Sequence, residues 1–155
     1  MSDGTTLEAL LCGPERRADT LAACEALLDK EVQAKTGLSG MAVRSAFKVV
    51  RALRPGIVRD LLDALVPEFC RALEPTFAEA RSEGGTVAQA FGERLRARPD
   101  EVAEALLSVT DARAERAKNK VLRKTYARLR PGAKEHVVAA VPNLSRTLED
   151  LLAGA

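Results

Sequence analysis

The chain has 155 residues, 46% of them apolar, and a formal net charge of +2. That is enough apolar material for one core in one domain. No run of 18 apolar residues occurs, which excludes a membrane-spanning helix. The charge is uneven: residues 1–110 carry 14 Lys+Arg against 17 Asp+Glu, and residues 111–155 carry 10 against 5.

Ala, Leu, Arg and Glu dominate and Ile and Thr are scarce, which predicts an all-α chain. The only aromatic residues are Phe47, Phe69, Phe77, Phe91 and Tyr126. Three cysteines (Cys12, Cys24, Cys70) without a CxxC or Cys/His cluster argue against a disulfide framework or a zinc site. Free thiols suit the cytoplasm. The N-terminal segment lacks the basic and apolar regions of a signal peptide.

In chain order, Thr5 or Thr6 caps a short helix closed by Gly13, and Pro14 opens the next. That second helix places Leu21, Cys24, Leu27, Leu28 and Val32 on one face and ends at Gly37. Ser39 is expected to cap a third helix bearing Val43, Ala46, Phe47 and Val50. It stops near Leu53, because Pro55 disfavours the α conformation at Arg54. A fourth helix runs from Gly56 to Glu83, with Ile57, Leu61, Leu62, Leu65, Phe69 and Leu73 inward. Thr86 caps a fifth, with Val87, Ala90, Phe91 and Leu95. Pro99 starts a sixth, with Val102, Ala105, Leu106 and Val109. A basic seventh is expected to reach about Leu129, and an eighth to fill most of 132–153.

The halves repeat. Glu25–Phe47 aligns with Glu104–Tyr126 without gaps, and Glu-Ala-Leu-Leu opens both blocks. Leu-Arg-Pro-Gly then recurs at 53–56 and 129–132, and Val-Pro at 66–67 and 141–142. The second copy is three residues shorter after Tyr126, close to one helical turn, which makes the extra turn after Phe47 a candidate contact site. The repeat predicts one domain over 1–155, a bundle of seven to eight helices. Its two halves, about 15–83 and 94–155, would be related by an approximate two-fold axis. Pro55, Gly56, Pro131 and Gly132 read as breaks between helices. Pro67 and Pro142 read as bends inside them. Arg71 with Glu74, and Arg146 with Glu149, have i,i+3 spacing.

TGLSGMAVRSAFK, RPGIVRDLLDALVPEF, LEP and EALLSVTDARAE together resemble a family of small bacterial, actinobacterial-type helical proteins of uncharacterised function. The resemblance covers most of the chain, and its basic segment after Ala114 departs from the pattern. It implies a helical fold and a cytoplasmic location, and it supplies no activity.

Catalytic signals are thin. His136 is the only histidine and no G-x-S-x-G surrounds a serine. Cys24 and Cys70 fall on apolar stripes, while Cys12 sits near a helix end. Asp60 with Asp63, and Glu101 with Glu104, are ordinary surface pairs. No phosphate-binding glycine loop occurs. No catalytic, cofactor or metal site is therefore expected. The reading is a non-enzymatic interaction or scaffold protein, with a protein partner or homodimer. The alternative is DNA binding. Glu31–Val50 has helix-turn-helix character, with Gly37 in the turn and Arg44, Ser45 and Lys48 on the presumed recognition helix. Arg113, Arg116, Lys120, Arg123, Lys124 and Arg128 fall within about 140° of one helix at 113–130, a surface for an anionic partner. A further alternative is an apolar ligand or lipid between the halves.

Overall fold

The computed structural model describes residues 5–154, so the expected domain limits at 1 and 155 lie outside the described residues. These residues form seven helices and no strand. The first, α1 (Leu7–Cys12), starts as expected: the Thr6 hydroxyl accepts the Ala9 N–H at 3.0 Å. Pro14 does not open α2 (Arg17–Ala34). Gly13–Arg16 form a separate turn, in which Arg17 N donates to Gly13 O at 2.9 Å.

The third helix, α3 (Gly37–Leu53), begins two residues before the expected Ser39 cap. Gly37, at φ +74°, turns the chain, and Thr36 occupies the cap position. Ser39 therefore lies within the first turn of α3. The first Leu-Arg-Pro-Gly is a true break. Arg54 is extended, as the residue before a proline prefers, and Gly56 sits at φ +76°.

The fourth helix, α4 (Ile57–Ser82), contains both Pro67 and Pro75. Its fully buried stripe past the first turn is Val66, Cys70, Leu73, Phe77 and Ala80, a rotation from the expected line through Leu61, Leu65 and Phe69. Those three are half-buried, and α4 also packs against α2 and α6. Two positive-φ glycines, Gly84 and Gly85, lead to α5 (Val87–Ala97), and Pro99 occupies the first turn of α6 (Pro99–Arg116).

The last helix, α7 (Lys120–Ala153), corrects the sequence reading most. It runs unbroken through Pro131, Gly132 and Pro142, so the second Leu-Arg-Pro-Gly separates no helices. The residue before Pro131 is held in place by tertiary contacts. Arg130 donates from Nε and Nη2 to both oxygens of Asp111 on α6, at 2.8 and 3.1 Å. Packing against α6 offsets the roughly 3 kcal/mol that an interior proline costs a helix.

The core lies where α4, α5 and α7 meet. Phe77 and Phe91 pack edge to face with centroids 5.3 Å apart. Leu7 and Leu11 of α1, Leu95 of α5 and Val141, Leu148 and Leu151 of α7 surround them. The i,i+3 pairs do not form. Arg71 binds Glu8 at 2.8 Å, Glu74 accepts the Leu7 N–H at 2.8 Å, and Glu149 takes a bidentate bond from Arg96 on α5. These carboxylates tie neighbouring helices together instead.

Candidate functional site

The expected basic helix over 113–130 is two elements. α6 ends at Arg116, and the Asn119 side chain starts α7 by accepting the Val121 and Leu122 N–H groups at 2.9 and 3.1 Å. The six basic residues assigned to one arc are accordingly divided. Arg113 turns inward, donating to Glu68 on α4 at 2.6 Å and to the Ala64 carbonyl at 3.3 Å. That pairing holds the Glu68 carboxyl below its ordinary pKa. Arg113 is therefore a strut between helices, its side chain 40% exposed and its charge already matched by Glu68.

The other five, Arg116, Lys120, Arg123, Lys124 and Arg128, are exposed, as is Lys118. None of these six makes an ion pair among the described residues. Elsewhere most arginines are matched, as Arg17 is with Asp63, Arg59 with Glu25, Arg94 with Glu79 and Arg96 with Glu149, while Arg16 and Arg44 bond backbone carbonyls. The only carboxylate within the same stretch is the exposed Glu115.

The antiparallel ends of α6 and α7 enclose an open groove of about 790 Å³. Ala114, Tyr126 and Ala127 give it apolar surface, and Lys120, Arg123 and Lys124 give it charge. Asp111 anchors the hairpin. It accepts from Arg130 and from the Tyr126 hydroxyl, and those bonds, Arg130's first, hold its carboxyl below the ordinary range. Tyr126 also meets Thr110 Oγ1 at 2.7 Å, and burial, followed by the Asp111 bond, raises the phenol's pKa.

Of the sequence-derived contacts, Lys120, Arg123 and Lys124 meet in the groove. Arg116 and Arg128 lie outside its lining. Sequence reasoning missed Asp111, Ala114 and Tyr126 because it drew one helix where there are two antiparallel ones. Asn119 was the available signal: asparagine is a preferred N-cap.

The other candidates come out differently. In the helix-turn-helix-like segment, Arg44 caps the C-terminal end of α2 by donating to the Lys35 carbonyl. Ser39 bonds His136 on α7 at 2.7 Å, and Lys35 Nζ bonds the His136 carbonyl at 3.3 Å. The start of α3, the part that would meet base edges, is thus docked on α7. Its outer face carries exposed apolar side chains, with Leu38 86% exposed and Met41 and Val49 also exposed, beside the exposed candidates Ser45 and Lys48. Among the described residues no carboxylate bonds the His136 ring. Burial and then the Lys35 charge lower the His136 pKa. Burial raises the Cys24 thiol to about 11 and also lifts Cys12 and Cys70, which makes them poor nucleophiles at neutral pH. No group of three or more His, Cys, Asp or Glu among the described residues is placed to hold a metal ion. Among the described residues no helix is long and apolar enough to cross a membrane. A second groove of about 560 Å³, between α2 and the end of α7, mixes Arg16, Lys30 and Arg146 with Asp19 and Asp150.

The chain belongs to the Family of unknown function (DUF6918), whose family model matches residues 7–152. No curated protein and no solved structure matches it.

Proposed function

We propose that this member of the DUF6918 family is a non-enzymatic interaction module. Its groove between α6 and α7 would hold an acidic, partly apolar segment of a partner protein. One observation carries the reading: unpaired cations cluster at and beside that groove, while most arginines elsewhere find carboxylates. Uncompensated like charges on one helix face cost a few tenths of a kcal/mol per neighbouring pair. A partner's carboxylates would relieve that repulsion as they bind.

The apolar surface of Ala114, Tyr126 and Ala127 favours a peptide over a nucleic acid. A peptide can alternate aliphatic and acidic side chains. A phosphate backbone presents continuous charge and no aliphatic side chains to cover that apolar surface. We also infer that the internal repeat records duplication of one helical unit, with halves related by an approximate two-fold axis. Within the gapless block Met41 aligns with Lys120 and Ser45 with Lys124, so the second copy has become cationic where the first is not. A cytoplasmic location fits the free thiols.

The test is fluorescence anisotropy with a labelled helical peptide of Glu and Leu, at about 50 mM salt, where surface charges are weakly screened. The expected result is saturable binding that weakens with salt. Arg123→Glu with Lys124→Glu should reduce affinity at least tenfold, about 1.4 kcal/mol. Both positions are exposed, so circular dichroism should be unchanged. Tighter binding of duplex DNA than of the peptide, or equal peptide binding by the reversed variant, would overturn the proposal.

A further inference from the structure

The outer face of α3 is not composed like a solvated one. Leu38, Met41, Ala42, Ser45, Val49 and Ala52 are all exposed. At 3.6 residues per turn they fall within about 100° of arc, in a stripe about 20 Å long. It lies on the side of α3 away from the buried Gly40, Val43 and Ala46. The stripe holds no charge. Lys48 stands at its edge, and Arg44 and Arg51 turn aside to the Lys35 carbonyl and to Asp29.

Folding of the single chain does not require these residues. In the aligned second copy Met41, Ala42 and Ser45 correspond to Lys120, Val121 and Lys124, all exposed and two of them charged. The three residues by which the first copy is longer fall between Phe47 and Leu53, and they lengthen the stripe by about one turn. Both differences between the copies thus enlarge one uncharged, exposed surface, the mark of a contact face.

We propose that this stripe is the interface of a homodimer, in which α3 packs antiparallel on α3 of a second copy about a two-fold axis at Ser45. Side-chain size selects this occupant and this direction. Leu38 and Met41 fill one end of the stripe, and the smaller Val49 and Ala52 the other. A two-fold at Ser45 sets Leu38 against Ala52 of the second copy and Met41 against Val49, large on small at both ends. The small Ser45 meets its own mate where the helices come closest. A parallel pair would set Leu38 on Leu38 and leave a gap at Ala52. Antiparallel helix dipoles also attract. The two Lys48 residues stand about 9 Å apart along the pair and reach into water at its edge. One helix face buries less than the roughly 800 Å² per partner of a standard interface, so the dimer is weak and depends on concentration. The stripe shares no residue with the α6–α7 groove, so it acts independently of that groove.

Sedimentation velocity of the full chain tests the pairing. The expected result is a monomer at about 10 µM and a dimer as the main species by about 500 µM. Leu38→Glu with Met41→Glu should be monomeric at both, with unchanged circular dichroism because both positions are exposed. Under mild oxidation Ser45→Cys should cross-link to itself, where the wild type forms no cross-linked dimer. Leu38→Cys, about 20 Å from its mate, should not. A wild type monomeric at every concentration, a dimer that the double variant keeps, or self-cross-linking of Leu38→Cys in place of Ser45→Cys would overturn the proposal. Binding to vesicles of anionic phospholipid that the double variant loses, with the wild type monomeric throughout, would overturn it in favour of a membrane surface.

Discussion

Phe91→Ala is expected to lower the unfolding free energy by about 3–5 kcal/mol, the usual cost of emptying a fully buried aromatic site. Phe91 is 0% exposed and stands edge to face against Phe77. It is also the largest side chain that α5 buries, so it fastens α5 to α4 and α7. The core offers little to fill the gap. Its other members are mostly Leu and Val, and Phe77 is its only other ring. The cavity would therefore stay open. Urea unfolding measures the effect as a lower midpoint with an unchanged slope, because the unfolded state exposes nearly the same surface.

Gly40→Ala is expected to cost about 1–3 kcal/mol by overpacking, though helix propensity alone predicts a gain of about 1 kcal/mol. Gly40 sits in the first turns of α3, and a β-carbon there would lie 2.5 Å from the Lys35 carbonyl carbon. That atom is backbone at the end of α2 and cannot swing aside. The α2–α3 corner would have to open, taking with it the Arg44 cap and the Lys35 and Ser39 contacts to His136. Gly132→Ala supplies the contrast. It lies inside α7, and a β-carbon there would meet no foreign atom within 4 Å. Propensity should then prevail, and the variant should gain about 0.5–1 kcal/mol. Thermal melts of both, side by side, separate packing from propensity.

The helical character, the Thr6 cap, the break at Arg54–Gly56 and the glycine stop after α4 were all legible, because each rests on a local residue preference. What failed depended on distant partners. Pro131 repeats Pro55 in its immediate sequence, yet Asp111 holds Arg130 helical while Arg54 swings to Asp60. Arg113 looked like part of a cationic stripe because its partner Glu68 lies far back in the chain. The stripe of α4 was rotated because periodicity shows that a face is apolar without showing how neighbouring helices divide it. The groove was half legible: its cations stood out by composition, and its apolar surface needed the fold of α6 back along α7.

Tyr126 makes the groove measurable. It is the only tyrosine of a chain without tryptophan, and it lines the groove. Titration of the protein with an unlabelled, tyrosine-free peptide of Glu and Leu, read by intrinsic tyrosine fluorescence, therefore reports on this site alone. The account predicts a saturable change in Tyr126 emission that salt suppresses and Arg123→Glu with Lys124→Glu abolishes. Peptide binding by anisotropy with no change in Tyr126 emission would contradict it, because the peptide would then be sitting elsewhere.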